Sequence, residues 1–228
     1  MQIIILIPAF LAFLYTLYKL VKDDYIFIRK NVSAEQMFDS AFLVSITSIF
    51  TSRIVYFLFH PIAHKNNLLL FFTAGNGGFS LLGALFGSMI VLYIIGKYKK
   101  LPLGRLFDFF TLAFIVALPV GWISTAIFFR DYALWLHIGN FIFYFLIMIW
   151  FLKYFYPRLM SRVLKEGSLT IFFLLLFSVV SLISKIFLQE QGKIVLVSGD
   201  SLLLGFLLIF SIVLFFKQAS NGLLNKKR

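Results

Sequence analysis

The chain of 228 residues contains no cysteine, which excludes disulfides, thiolate metal sites and a cysteine nucleophile of its own. Charge is scarce: 13% of the residues are charged, with 9 acids against 21 lysines and arginines. With so few polar residues, no stretch is long enough to wrap a soluble core, and residues 1–228 are expected to form a single domain. What is abundant is apolar. Hydrophobic residues make up 61% of the chain and aromatics 19%, including 31 phenylalanines, and the mean hydropathy is +0.98. Apolar runs of about 20 residues, enough to cross roughly 30 Å of hydrocarbon, indicate a polytopic membrane protein and exclude a water-soluble globule. A net charge of +12 taken alone suggests a nucleic-acid partner, but the placement of the cations argues against one.

Seven segments read as spans: Ile3–Tyr18, Phe38–Phe59, Phe79–Gly96, Phe107–Phe129, Leu136–Leu152, Ser168–Leu188 and Ser201–Phe216. The expected fold class is therefore an all-α integral membrane protein with seven transmembrane helices. Lysine and arginine alternate between four and one in successive connections, and the basic C-terminal tail again holds four. Because cytoplasmic connections carry the basic excess, the N-terminus is placed outside and the C-terminus in the cytoplasm, beside anionic lipid. The first segment lacks a basic leading region and a small-x-small cleavage site, so it is expected to remain as a helix.

Two cations fall within spans, Arg53 and Lys185. Arg53 lies about four turns into its span, where a charge is costly unless it is paired or faces a cavity. It therefore either marks a functional site or snorkels to headgroups about 9 Å away near His60. Lys185, three residues from a span end, reads as a snorkelling anchor. Asp108 sits at an inner helix end, as a cap or on the rim. The turn Gly75-Asn76-Gly77-Gly78 precedes the third span, where backbone N–H groups face either an anion or simply a tight bend. Gly83 and Gly87 form a small-residue face for close helix packing. Ser80 with His137 is only a faint echo of an intramembrane serine protease. His60 and His64 are separated by Pro61 and lack a third ligand, so neither a metal site nor a cofactor is expected.

Several spaced segments resemble the prolipoprotein diacylglyceryl transferase family. Ser52-Arg53-Ile54-Val55-Tyr56-Phe57-Leu58-Phe59 is similar to the family's G-R-I-G-Y-x-L-F, and Gly77-Gly78-Phe79-Ser80 followed by Gly83 to its G-G-M-S-F-H-G-G. Asp108 through Gly121 spans the same interval as the family's Asp-to-Gly-Arg stretch, and Gly167 leads the sixth span as a glycine does there. The resemblance covers about Ser33 to the C-terminus. It departs at Leu82, which stands at the family's histidine, at Trp122 and Ser181, which stand at arginines, and at Thr125, which stands at an asparagine.

The resemblance implies a multi-pass enzyme of the bacterial inner (cytoplasmic) membrane that moves the diacylglyceryl group of phosphatidylglycerol onto the lipobox cysteine of a prolipoprotein in lipoprotein biosynthesis. The implied roles are Arg53 and Tyr56 as catalytic, with Arg53, Gly77 and Gly78 binding the lipid phosphate and Gly83, Asp108 and Gly121 structural. The alternative it implies is a pseudoenzyme, a lipid-binding or scaffold relative without catalysis. A small transporter, a third possibility, calls for more intramembrane charge than Arg53, Lys185 and Asp108 supply.

Overall fold

The computed structural model describes residues 2–22, 24–59, 78–128, 134–187 and 199–225, with the backbone alone for 2–6, 128, 136, 185–187 and 219–225. Each of the seven predicted segments coincides with a helix over most of its described residues. These helices are α1 (Gln2–Lys22), α3 (Ala34–Phe59), α4 (Leu81–Tyr98), α5 (Leu103–Phe128), α6 (Leu134–Trp150), α8 (Ser168–Phe187) and α9 (Gly199–Asn225). Five helical stretches are long and apolar enough to cross a membrane: Ala34–Phe59, Leu81–Tyr98, Leu103–Ile127, His137–Met160 and Gly199–Gln218. The protein is thus all-helical and multi-pass among the described residues; in α8 the apolar stretch measured is the shorter Ser168–Ser184.

Two short elements were not expected from hydropathy. Helix α2 (Tyr25–Arg29) occupies the first connection, capped by Asp24, whose Oδ1 accepts from the N–H groups of Ile26 (2.9 Å) and Phe27 (3.1 Å). Helix α6 passes through a π-helical turn, Phe151–Phe155, into α7 (Tyr156–Met160). Pro157 explains the widened turn, since it lacks the N–H that a continuous α-helix would need there.

Helix α5 is the hub, packing against α1, α4, α6 and α8, while α3 pairs with α4 and α8 with α9. Of its apolar window 61% is buried, against 17% for α3. At one end α5 carries Phe109 against Phe27 of α2, with ring centroids 5.3 Å apart. Many large apolar side chains instead face outward, among them Ile46, Leu58, Phe206 and Phe216. In lipid such exposure costs little, so apolar area alone does not select helix partners. Small residues and buried polar groups do. A Cβ on Gly83 would lie 2.7 Å from Val55 Cβ, 2.8 Å from the Thr51 carbonyl oxygen and 2.9 Å from Ser52 Cα, and one on Gly87 would overlap the Thr51 side chain. Gly83 lets α4 touch the backbone of α3, and Gly87 makes room for the Thr51 side chain.

Candidate functional site

Arg53 lies in α3 and is 5% exposed. It does not extend along α3 toward solvent but turns across to the start of α4, where Nη1 donates to the carbonyl oxygen of Gly78 at 2.9 Å. The guanidinium lies 4.9 Å from the centroid of the Phe79 ring and 5.6 Å from that of Phe57. These faces offset part of the cost of burying a cation. Tyr56, one turn further along α3, packs its ring directly on Gly78, where a Cβ would overlap it.

The junction is held by its serines. The Ser80 N–H donates to the Ser52 carbonyl at 3.2 Å, and Ser80 Oγ caps α4 by accepting from the Gly83 N–H at 3.2 Å. The hydroxyl oxygen thus serves as the N-cap of α4. Arg53, Tyr56, Gly78 and Gly83 come together here; Gly77, His60, His64 and Arg130 lie outside the described residues, as does the Lys185 side chain.

Asp108 belongs to the opposite end of the bundle. It caps a helix, but α8 rather than its own: Oδ2 accepts from the Gly167 N–H at 2.7 Å, and Oδ1 from the Thr170 N–H at 3.0 Å and the Thr170 hydroxyl at 2.9 Å. Gly167, at φ +87°, has no side chain to cap the helix it precedes, so α5 supplies the oxygen, and a carboxylate there also suits the helix dipole. Gly121, in α5, meets only Ala9 Cβ at an ordinary 3.9 Å.

The sequence places Arg105 among the connection cations, but the structure buries it at 3% exposure in the first turn of α5. It forms a salt bridge with the fully buried Asp24, to which Nε donates at 3.0 Å, and Nη1 donates to the Leu159 carbonyl at 2.9 Å. No sequence spacing signals this pair, whose members lie 81 residues apart.

Near the end of the bundle that carries Arg53, the departure positions form an uncharged layer. Trp122 stacks on Tyr144 (6.5 Å, 4°) and lies 5.7 Å from the His137 ring. Leu82 is buried at 6% exposure, and Thr125 Oγ1 donates back to the Gly121 carbonyl at 2.9 Å. Among the described residues, no group of three histidine, cysteine or acidic side chains is arranged to hold a metal.

Residues 3–129 match the family model for prolipoprotein diacylglyceryl transferase. The chain is also 28% identical over 93 residues to phosphatidylglycerol–prolipoprotein diacylglyceryl transferases from two strains of Streptococcus suis. That match takes in 41% of this chain and spans about a third of the length of those relatives, 35%. No solved structure matches. The family match contains the whole Arg53–Gly78 junction together with Asp108 and Gly121, and on it the chain belongs to the prolipoprotein diacylglyceryl transferase family.

Proposed function

We propose that this chain is a diacylglyceryl transferase that takes phosphatidylglycerol as donor and the lipobox cysteine of a prolipoprotein as acceptor. The observation that carries the proposal is Arg53: an arginine buried in a spanning helix and directed at the glycine-led start of the next. In a low-dielectric setting a guanidinium attracts a phosphodiester and stabilises charge growing on a departing phosphate. In the proposed step the acceptor thiol loses its proton, and its sulfur bonds to the glyceryl carbon as the carbon–oxygen bond to phosphate breaks, releasing glycerol phosphate. Arg53, with the Gly77 and Gly78 backbone, holds the phosphate, and Tyr56 positions it or passes the proton. Gly83, Asp108 and Gly121 serve the scaffold.

The proposed setting is a bacterial cytoplasmic membrane. The single domain would cross it seven times, with the N-terminus outside and the C-terminus in the cytoplasm, as the exposed lysines and arginines at one end support. A non-catalytic, lipid-binding relative is the second reading. It is favoured by Trp122, which fills an arginine position with an aromatic stack.

Glycerol phosphate release from phosphatidylglycerol liposomes, with and without a lipobox peptide, tests the two. Peptide-dependent release that falls by about 100-fold or more in Arg53→Ala supports the transferase. No release by folded protein overturns it in favour of the non-catalytic relative.

A further inference from the structure

The Arg53 side chain is long enough to run along α3 toward the headgroups, yet it crosses to α4, where it donates to the Gly78 carbonyl. That hydrogen bond fixes one nitrogen but lets the guanidinium plane turn about it. Two rings lie under the same group, Phe79 with its centroid at 4.9 Å and Phe57 at 5.6 Å. Phe57 stands one turn along α3 from Arg53, the i, i+4 spacing that brings helix side chains together. Phe79 comes from the other helix, and its backbone is bracketed. On one side Gly78 accepts from Arg53 and packs under the Tyr56 ring; on the other, the Ser80 N–H donates to the Ser52 carbonyl at 3.2 Å and Ser80 Oγ caps α4. The α3–α4 junction thereby delivers the Phe79 ring to the guanidinium at a set place.

We propose that Phe79, with Phe57, is a positioning residue that holds the Arg53 guanidinium across to α4 with its N–H edge presented to the phosphate of phosphatidylglycerol. The inference rests on the phosphate-binding reading of Arg53. The first argument is charge. A cation buried in a spanning helix must be compensated. A carboxylate does so by neutralising it, as Asp24 does for Arg105, and such a pair keeps no net charge with which to attract an anion. An aromatic ring attracts the cation through its quadrupole and brings no charge of its own, so what the rings contribute leaves the charge of Arg53 undiminished for a phosphate. The second argument is shape. A guanidinium carries its N–H donors in its own plane, so a ring stacked on it takes up a face and leaves the edge, where a phosphodiester makes bidentate contact. Phe79 stands where the similar family segment G-G-M-S has methionine, so Phe79→Met removes the ring and keeps an adaptable apolar side chain in its place.

Phosphatidylglycerol bound by the full chain in detergent, counted by native mass spectrometry against phosphatidylcholine, tests the assignment without requiring turnover. Phe79→Met should weaken phosphatidylglycerol binding by about fivefold, the loss of one desolvated cation–π contact. Phe79→Trp, which keeps a ring with a strong cation-attracting face, should stay within about twofold of the native chain. Arg53→Ala should lose the preference for phosphatidylglycerol altogether. A Phe79 that only fills space would give the opposite order, since methionine adapts to an apolar gap where the larger indole overpacks it. Equal binding by Phe79→Met and the native chain, with the preference lost in Arg53→Ala, overturns the positioning role and leaves the phosphate reading of Arg53 standing. Loss in Phe79→Trp as deep as in Phe79→Met also overturns the positioning role. An unchanged preference in Arg53→Ala overturns both. If Phe79→Met fails to fold, Phe57→Leu removes the other ring without touching the α4 cap: weaker phosphatidylglycerol binding by folded protein supports the proposal, and unchanged binding overturns it.

Discussion

Arg53 and Arg105 are both buried arginines, and their surroundings separate their roles. Arg105 is neutralised by Asp24 and tied to the Leu159 carbonyl, so it pins α2, α5 and α7 at one end. Removing one partner leaves an uncompensated buried charge. Asp24→Ala should therefore lower stability by about 3–5 kcal/mol, whereas Asp24→Leu with Arg105→Met should recover most of that loss, as read by thermal unfolding in detergent. Arg53 has aromatic faces and a backbone carbonyl around it. If it holds a phosphate, Arg53→Lys keeps the charge but loses the planar fork, and turnover should fall by about tenfold or more with the protein still folded. A snorkelling arginine would accept lysine without loss. The depth of Arg53 was legible in the hydropathy pattern. Its partner was not, because Gly78 is 25 residues away and contributes only a backbone oxygen, which leaves no mark in a sequence.

Helix ends account for much of the local order at the basic end. Helices α2, α4 and α7 each finish with a left-handed residue, Asn31 (φ 51°), Lys100 (φ 53°) and Arg162 (φ 61°). Each closes on a pair of backbone hydrogen bonds; in α4, Leu101 N–H donates to the Gly96 carbonyl at 2.9 Å and Lys100 N–H to Lys97 at 3.3 Å. Glycine suits that conformation better than lysine, so Lys100→Gly should raise stability by up to about 1 kcal/mol. The α3–α4 pair responds the other way. Gly83→Ala places a methyl against the Thr51 and Ser52 backbone, which cannot move aside as a side chain does, and should cost about 1–3 kcal/mol. Gly121→Ala, with ordinary contact at Ala9, should be neutral by the same thermal measurement. The glycine spacing on α4 was readable from sequence. The π turn before Pro157 and helix α2 were not, since both lie where hydropathy reports only that a span has ended.

For the whole molecule, the basic residues gather at one end because antiparallel helices return every cation-rich connection there. Lys19, Lys22, Lys97, Lys99, Lys153 and Arg158 are exposed, whereas Arg105, counted with them in sequence, is withdrawn into the ion pair. The proposed orientation survives that subtraction, because exposed Lys97 at the end of α4 and exposed Lys99 and Lys100 between α4 and α5 remain. The absence of cysteine makes the test clean: a single Lys99→Cys should react with a membrane-impermeant thiol reagent only from the cytoplasmic side, and Trp135→Cys only from outside. The reverse labelling would invert the topology.

The sequence by itself determined the membrane setting, the helical class, most helix boundaries to within about one turn, though not the end of α9, which runs past Phe216 to Asn225, and the resemblance to the family. Those properties depend on local hydropathy and on spacing within one segment, which a linear chain displays directly. Only the tertiary structure decided that Asp108 caps α8, that Arg105 is spent on Asp24 and that Arg53 meets Gly78 and Phe79. Each is a contact between distant segments, formed because a buried polar group in an apolar surrounding must find a partner wherever the packed helices bring one.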